Sequence, residues 1–190
     1  KPLEPIMAAS SFAPLNYHGV TEENQKEFID IYERRGLKLN WWWIDFGWHE
    51  GTWKPAEDRF PHGLRPVTDY ARSKGLKTIV WFTPEHSPLG GEAEWLLKGT
   101  CEEPLCRGTE TAVLDLGNPD AWRWLVDMID QRLVEDGIEC YRHDTSWGPL
   151  PNWRAADAPD RQGITENHYI AGYLAFYDEL LRRDPGRMID

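Results

Sequence analysis

The sequence has 190 residues, 41% of them hydrophobic, which is enough to bury one sizeable core and fits one domain or part of one. A formal net charge of −11 and a pI near 5.0 oppose a nucleic-acid partner, because such surfaces need clustered Lys and Arg to displace counterions. No apolar run reaches the roughly 18 to 20 residues that span a bilayer, and the start at Lys1 lacks a signal-peptide pattern, so the chain reads as soluble, without a membrane partner and with the cytoplasm favoured.

Apolar runs alternate with amphipathic stretches at the spacing of strand-helix units, the sequence form of a parallel α/β architecture. The first predicted strand covers Ile6 to Ser10. Thr21 then caps a helix over residues 22–35 that ends at Gly36. A second strand, Leu39 to Asp45, precedes a helix over residues 64–74 with Pro66 in its first turn and Gly75 after it. The third strand is Thr78 to Phe82. Asn118-Pro119 opens the best-defined helix, whose apolar face is Trp122, Leu125, Val126, Ile129 and Leu133 and which Gly137 ends. Strand Ile138 to Asp144 follows, then a helix from Glu166 to Arg183 and a strand at Arg187 to Asp190. Residues 83–111 and 145–164 read as long connections, each following a strand, and such loops at strand carboxyl ends build the sites of barrel enzymes.

Three cysteines are too few for a disulfide framework. A local bridge between Cys101 and Cys106 is weighed against two inert thiols, and the thiols are favoured. The 11 Trp exceed ordinary usage and suit both cores and sugar sites.

Three strands deliver an acid at or just past their ends: WWWIDFGW gives Asp45, TIVWFTPEH gives Glu85 and ECYRHDTSW gives Asp144. In a parallel sheet such carboxylates project into a shared cleft, the layout that glycoside hydrolysis needs. The bland alternative is that each acid caps a helix or bonds a loop.

Motif by motif, almost the whole chain resembles the catalytic barrel of the α-galactosidase-like glycoside hydrolases of family 36. Leu39 to Trp48 resembles the family's strand ending in Asp-Asp-Gly-Trp, and GLKTIVWFTPEH its Gly-Leu-Lys, Trp-Phe, Pro-Glu strand. AVLDLGNPDAWRWLVDMID resembles the Leu-Asp-Leu, Asn-Pro helix entry, and YRHD the strand ending in Lys-Trp-Asp. The resemblance implies one domain over residues 1–190, an incomplete TIM-type (β/α)8 barrel carrying about the first five strands. It also implies a retaining glycosidase acting on α-linked sugars, with Asp144 as nucleophile, a carbohydrate substrate and no cofactor. Glu85 takes a pocket role, and the general acid lies on a later strand, beyond the segment resembling MID at Met188 to Asp190. Arg142, on the same strand face as Asp144, favours its ionisation and reaches sugar hydroxyls, or else pairs with another core acid.

Phe46 stands where the family has its second aspartate, and Arg142 and His143 replace Lys and Trp before the nucleophile, which bears on galactose recognition. Asp45 is the remaining grip on sugar hydroxyls. Trp48 and Trp81 are the candidates for sugar stacking, with Trp147 in the loop that follows. Trp41 to Trp43 are expected to divide between barrel interior and helix-facing layers. Two other readings stand beside this one: a sugar-binding or scaffolding barrel without turnover, and a metal-dependent hydrolase using His86, His143, Asp45, Glu85 and Asp144, for which no His-x-His or His-Glu-x-x-His signature is present. A five-stranded part-barrel leaves sheet edges to cover, so self-association or the rest of a longer chain is expected to cover them.

Overall fold

The computed structural model describes residues 5–15, 19–51, 53–86, 91–104, 106–144 and 148–190. Its strands are β1 (Ala8–Ser10), β2 (Trp41–Ile44), β3 (Lys77–Phe82), β4 (Leu96–Thr100), β5 (Glu110–Leu114), β6 (Cys140–His143) and β7 (Met188–Ile189). Its helices are α1 (Phe12–Leu15), α2 (Glu22–Arg34), α3 (Arg65–Ser73), α4 (Pro119–Glu135), α5 (Leu150–Ala156) and α6 (Ile164–Arg183). The chain divides into two compact units.

The first unit comprises Lys1–Phe82, Gln131–His143 and Arg187–Asp190 and holds a five-stranded sheet in the order β1-β2-β3-β6-β7. Every pairing in it is parallel, and all five strands fall where the sequence placed them, four inside the expected ranges and β3 starting one residue earlier, at Lys77. The register aligns Trp43 with Ile79, Ile79 with Cys140 and Cys140 with Met188. Because side chains alternate across a strand, Trp41, Trp43, Ile79, Cys140 and Met188 gather on one face. Trp42 points the other way, where its indole N–H donates to Gln25 of α2 at 3.1 Å. The expected division of the Trp triplet is therefore observed. β3 is the central strand, buried from Thr78 through Phe82, as a parallel strand covered on both faces should be.

Local chemistry sets the helix ends. Thr21 and Asn24 form a reciprocal capping box at the start of α2. Asp136, almost fully buried, accepts from the Leu64 N–H before α3 and from Arg132 at 3.0 Å, and its carbonyl accepts from Thr68. Glu139 accepts from both the N–H and the hydroxyl of Thr78 and pairs with Arg72 at 2.8 Å, tying the starts of β3 and β6 to α3.

The second unit comprises Thr83–Asp130 and Asp144–Gly186. Its content was the less legible part of the sequence. The connection read as loop over residues 83–111 contains β4 and most of an antiparallel β4-β5 hairpin, and the one over residues 145–164 contains α5. Asn152 of α5, fully buried, donates to the Leu97 and Thr111 carbonyls of the hairpin. A Cβ on Gly99 would come within 2.9 Å of the Asn152 backbone, so the approach of α5 to β4 requires glycine there. Cys101 and Cys106 form a disulfide, which corrects the preference for two thiols. The reason is local: the turn returns Cys101 to Thr109 and Gly108 to Cys101 through backbone hydrogen bonds and leaves the two Cα atoms 5.7 Å apart.

Asn118 caps α4 by accepting from the Asp120 N–H at 2.9 Å, as the Asn-Pro pair predicts. Helix α6 comes so close to the chain at Leu116 that a Cβ on Gly172 would lie 1.9 Å from the Leu116 carbonyl oxygen, while the Gly172 carbonyl accepts from the Trp122 indole at 3.0 Å. Gly172→Ala should therefore force α6 outward and cost about 1–3 kcal/mol, read as a lower urea midpoint; an unchanged midpoint would show that the contact yields freely.

Candidate active site

Asp45 directly follows β2 and is half-buried, its carboxylate accepting from the Phe46 N–H at 2.7 Å. Phe46 meets Trp81 of β3 edge-on, with ring centroids 5.2 Å apart. Trp81 aligns with Arg142 of β6, so strand parity sets both on the face that carries Trp43. Arg142 lies over the Trp43 ring at 4.4 Å and forms an ion pair with Asp190. The partner shown for Arg142 is thus another acid of the sheet, the second of the two roles its position allows. Asp144 directly follows β6 and is exposed.

The two tryptophans expected to stack on sugar are both packed away. Trp48 is fully buried and donates its indole N–H to the Trp81 carbonyl at 2.9 Å, and Trp81 keeps only 6% of its surface. Neither presents an open ring face, because the chain after β2 folds back on the end of β3 and seals them into an aromatic cluster with Trp53 and Phe82. Trp147 lies outside the described residues. Glu85 is buried in the second unit, 3.6 Å from the His86 ring nitrogen.

Sequence reading missed two members of the aromatic cluster. Trp53 holds a left-handed backbone, φ 55°, that only a tightly packed surrounding sustains. His49 lies against Trp53 at 4.1 Å and parallel to Trp81 at 6.2 Å, and neither of its buried ring nitrogens has a hydrogen-bond partner among the described residues. Loss of water around the ring, with the nearby Arg59 charge, lowers its pKa to about 4. A single histidine in a loop carries no pattern that would have revealed this.

Among the described residues no three His, Cys, Asp or Glu side chains are grouped to hold a metal ion. No helix among them is long and apolar enough to cross a membrane.

Parallel strands in series, connected through helices and ending in acids or in loops that carry them, define a part of a (β/α)8 barrel. The chain matches the family model described as the glycosyl hydrolases family 31 TIM-barrel domain over residues 6–177, and it belongs to that family. α-Galactosidase 1 of Pediococcus pentosaceus is 24% identical over 178 residues, covering 86% of this chain and 24% of that protein. The α-galactosidase of Lactobacillus brevis has a solved structure that superposes with a TM-score of 0.81 at 18% identity, over 99% of this chain and 27% of that one. The family 36 α-galactosidase AgaA of Geobacillus stearothermophilus, solved with raffinose, gives 0.74 at 22% identity, over 98% and 27%. The chain thus spans about a quarter of the length of these relatives. The α-galactosidase-like resemblance and the partial barrel expected from the sequence both stand, with 31 as the family of the matching model and 36 among the structural neighbours.

Because His49 is neutral in the folded state and has an ordinary pKa of 6.5 when unfolded, the unfolded chain binds the extra proton as pH falls between these values. Its contribution to stability should be complete above pH 6.5 and decline toward pH 4, by on the order of 3 kcal/mol. Urea unfolding of wild type and His49→Phe across that interval should show the steeper loss in wild type; parallel curves would exclude a desolvated His49.

Proposed function

We propose that this chain is the catalytic barrel segment of a retaining glycoside hydrolase acting on α-linked sugars, α-galactosidase-like in specificity, with Asp144 as nucleophile. The observation that carries the reading is the exposed carboxylate of Asp144 immediately after β6 of a parallel sheet, in a chain of a glycosyl hydrolase barrel family. A carboxylate oxygen of Asp144 attacks the anomeric carbon as the glycosidic bond breaks, and the leaving oxygen takes a proton from an acid on a later strand. Water then attacks the same carbon, loses a proton to that residue and releases Asp144, so two inversions give net retention.

Asp45 and Arg142 contact sugar hydroxyls in this reading, and Glu85 lines the substrate side of its loop. The Arg142–Asp190 pair holds the guanidinium in place without consuming all its donors. Trp81 and Trp48 support the strand ends from within their aromatic cluster, and Trp147 is the aromatic contact to the sugar in this reading. The carbohydrates named with structural neighbours, raffinose and stachyose, are both galactose-bearing substrates to assay.

Asp144→Asn should lower turnover of a chromogenic α-galactoside by three or more orders of magnitude, because no covalent intermediate forms. Turnover within tenfold of wild type would remove Asp144 from the role. Product released by wild type should appear first as the α-anomer in proton NMR, and a first-formed β-anomer would replace the retaining mechanism with an inverting one.

A further inference from the structure

Within the second unit, the β4-β5 hairpin is anchored at its base and stapled at its tip. At the base the Leu114 N–H donates to the Glu85 carbonyl at 2.9 Å and the Asp115 N–H to the Trp95 carbonyl at 2.8 Å, and Val113 and Leu114 are fully buried. Toward the tip that burial ends: Lys98, Thr100 and Glu110 are exposed, as are residues 102–104 and 107–109. A two-stranded ribbon is marginally stable at best in water, so its outer half needs other support.

Two devices supply it. The Cys101–Cys106 disulfide closes the tip, beside the backbone hydrogen bonds from Cys101 to Thr109 and from Gly108 to Cys101. Asn152 of α5 is the other: its fully buried side-chain amide donates to the Leu97 and Thr111 carbonyls and accepts from the Thr111 hydroxyl at 3.3 Å. Leu97 is on β4 and Thr111 on β5, so this amide is satisfied only while the two strands are paired. Parting the strands leaves it buried without acceptors, a state unfavourable enough to loosen α5. Helix α5 in turn packs through Trp153 on Tyr169 of α6 at 5.0 Å. Bridge, hairpin and α5 are therefore successive links in one chain of contacts.

We propose that the Cys101–Cys106 bridge is a redox-sensitive latch: formed, it keeps β4 and β5 paired with α5 docked on them, and reduced, it lets the tip part and α5 loosen. Cys101 is only 4% exposed whereas Cys106 is half-buried, so a reductant reaches Cys106 first. That reductant is a dithiol. One of its thiolates attacks the Cys106 sulfur, forming a mixed disulfide and releasing the Cys101 thiolate. Its second thiolate then breaks the mixed bond, releases the Cys106 thiolate and leaves the reductant as a cyclic disulfide. Two electrons pass to the protein, and the two protons of the dithiol end on the two cysteines. Undoing so short a loop closure multiplies the open fraction of the tip on the order of tenfold. Oxidising surroundings keep the latch shut, and thiol-rich ones open it. Because α5 lies on the connection that leaves Asp144, the latch also acts on substrate binding, an effect that rests on the role proposed for Asp144.

The test compares the full-length protein with and without dithiothreitol, as wild type and as the double variant Cys101→Ser, Cys106→Ser. Brief trypsin digestion, with the cut sites assigned by mass spectrometry, reads the latch directly, because cleavage after Lys98, inside β4, requires that strand to leave its partner. Cleavage after Arg154 reads the loosening of α5 in the same digest. Dithiothreitol should speed both cuts about tenfold in the wild type, and reoxidation should restore the slower rates. The double variant should be cut at the faster rates with or without the reagent; if it does not fold, the reversible change in the wild type decides. Equal rates at Lys98 in the two redox states would overturn the latch, and a faster cut at Lys98 with an unchanged one at Arg154 would overturn its link to α5. The KM for a chromogenic α-galactoside should rise about threefold on reduction. A failure of the glycosidase reading looks different: turnover is absent in both redox states, while the digestion, which needs no substrate, still decides the latch.

Discussion

Parallel pairing of β3 with β2 on one side and β6 on the other is the constraint on which the first unit depends. Side chains alternate with a period of two, so this one register decides which residues meet the helices and which face the opposite way. Trp42, Val80 and Tyr141 share the first face, and Trp43, Trp81 and Arg142 the second. A slip of one residue would exchange the two sets and turn the Arg142 guanidinium to the face that carries Trp42 and Tyr141. The register is pinned at its start by Glu139, which holds Thr78 by two hydrogen bonds and Arg72 by an ion pair. That brace shortens the freedom of β6 before the chain reaches Arg142.

At the other end of the same strands, packing replaces hydrogen bonding as the organising force. Trp48, Trp53 and Phe82 are essentially without exposed surface, and each such ring buried stabilises the fold by about 1.5–3 kcal/mol or more. That gain offsets the left-handed backbone at Trp53, which costs roughly 1–3 kcal/mol, and the desolvation of His49. A loop stiffened in this way holds Asp45 at a fixed place after β2. Such rigidity suits the substrate-contact role proposed for Asp45, because small displacements of positioning groups cost large factors in rate.

The second unit follows a different logic. Close backbone approach, rather than a sheet, brings its parts together: α5 against β4 at Gly99 and α6 against Leu116 at Gly172. The absence of a Cβ at each contact brings α5 and α6 in tightly enough for Trp153 and Tyr169 to meet. A cavity lined by Glu85, His86, Pro149, Trp153, Tyr169 and Tyr173 is a consequence of those approaches.

Strand-helix alternation, the Asn118-Pro119 cap and the acids Asp45, Glu85 and Asp144 were legible because each is a local pattern: hydrophobic period, cap chemistry and residue type at a strand end. The β4-β5 hairpin was not, because Leu96–Thr100 and Glu110–Leu114 are short, with Lys98 interrupting the first and Glu110 opening the second, so their pairing shows only when the Cys101–Cys106 turn brings them together. The fate of each tryptophan was equally hidden. Residue type alone does not distinguish a ring open to a sugar from one sealed in a cluster, and for Trp48 and Trp81 the decision came from how the loop after β2 folds back on β3. Arg142 could be placed on its strand face by counting residues, but its pairing with Asp190 depends on β7 lying beside β6. The sequence by itself determined the order of elements, the parallel class of the fold and the acids at the strand ends, all set by interactions between near neighbours. Only the tertiary structure decided which side chains were buried, bonded or left facing a cavity, since those outcomes depend on residues distant in the chain.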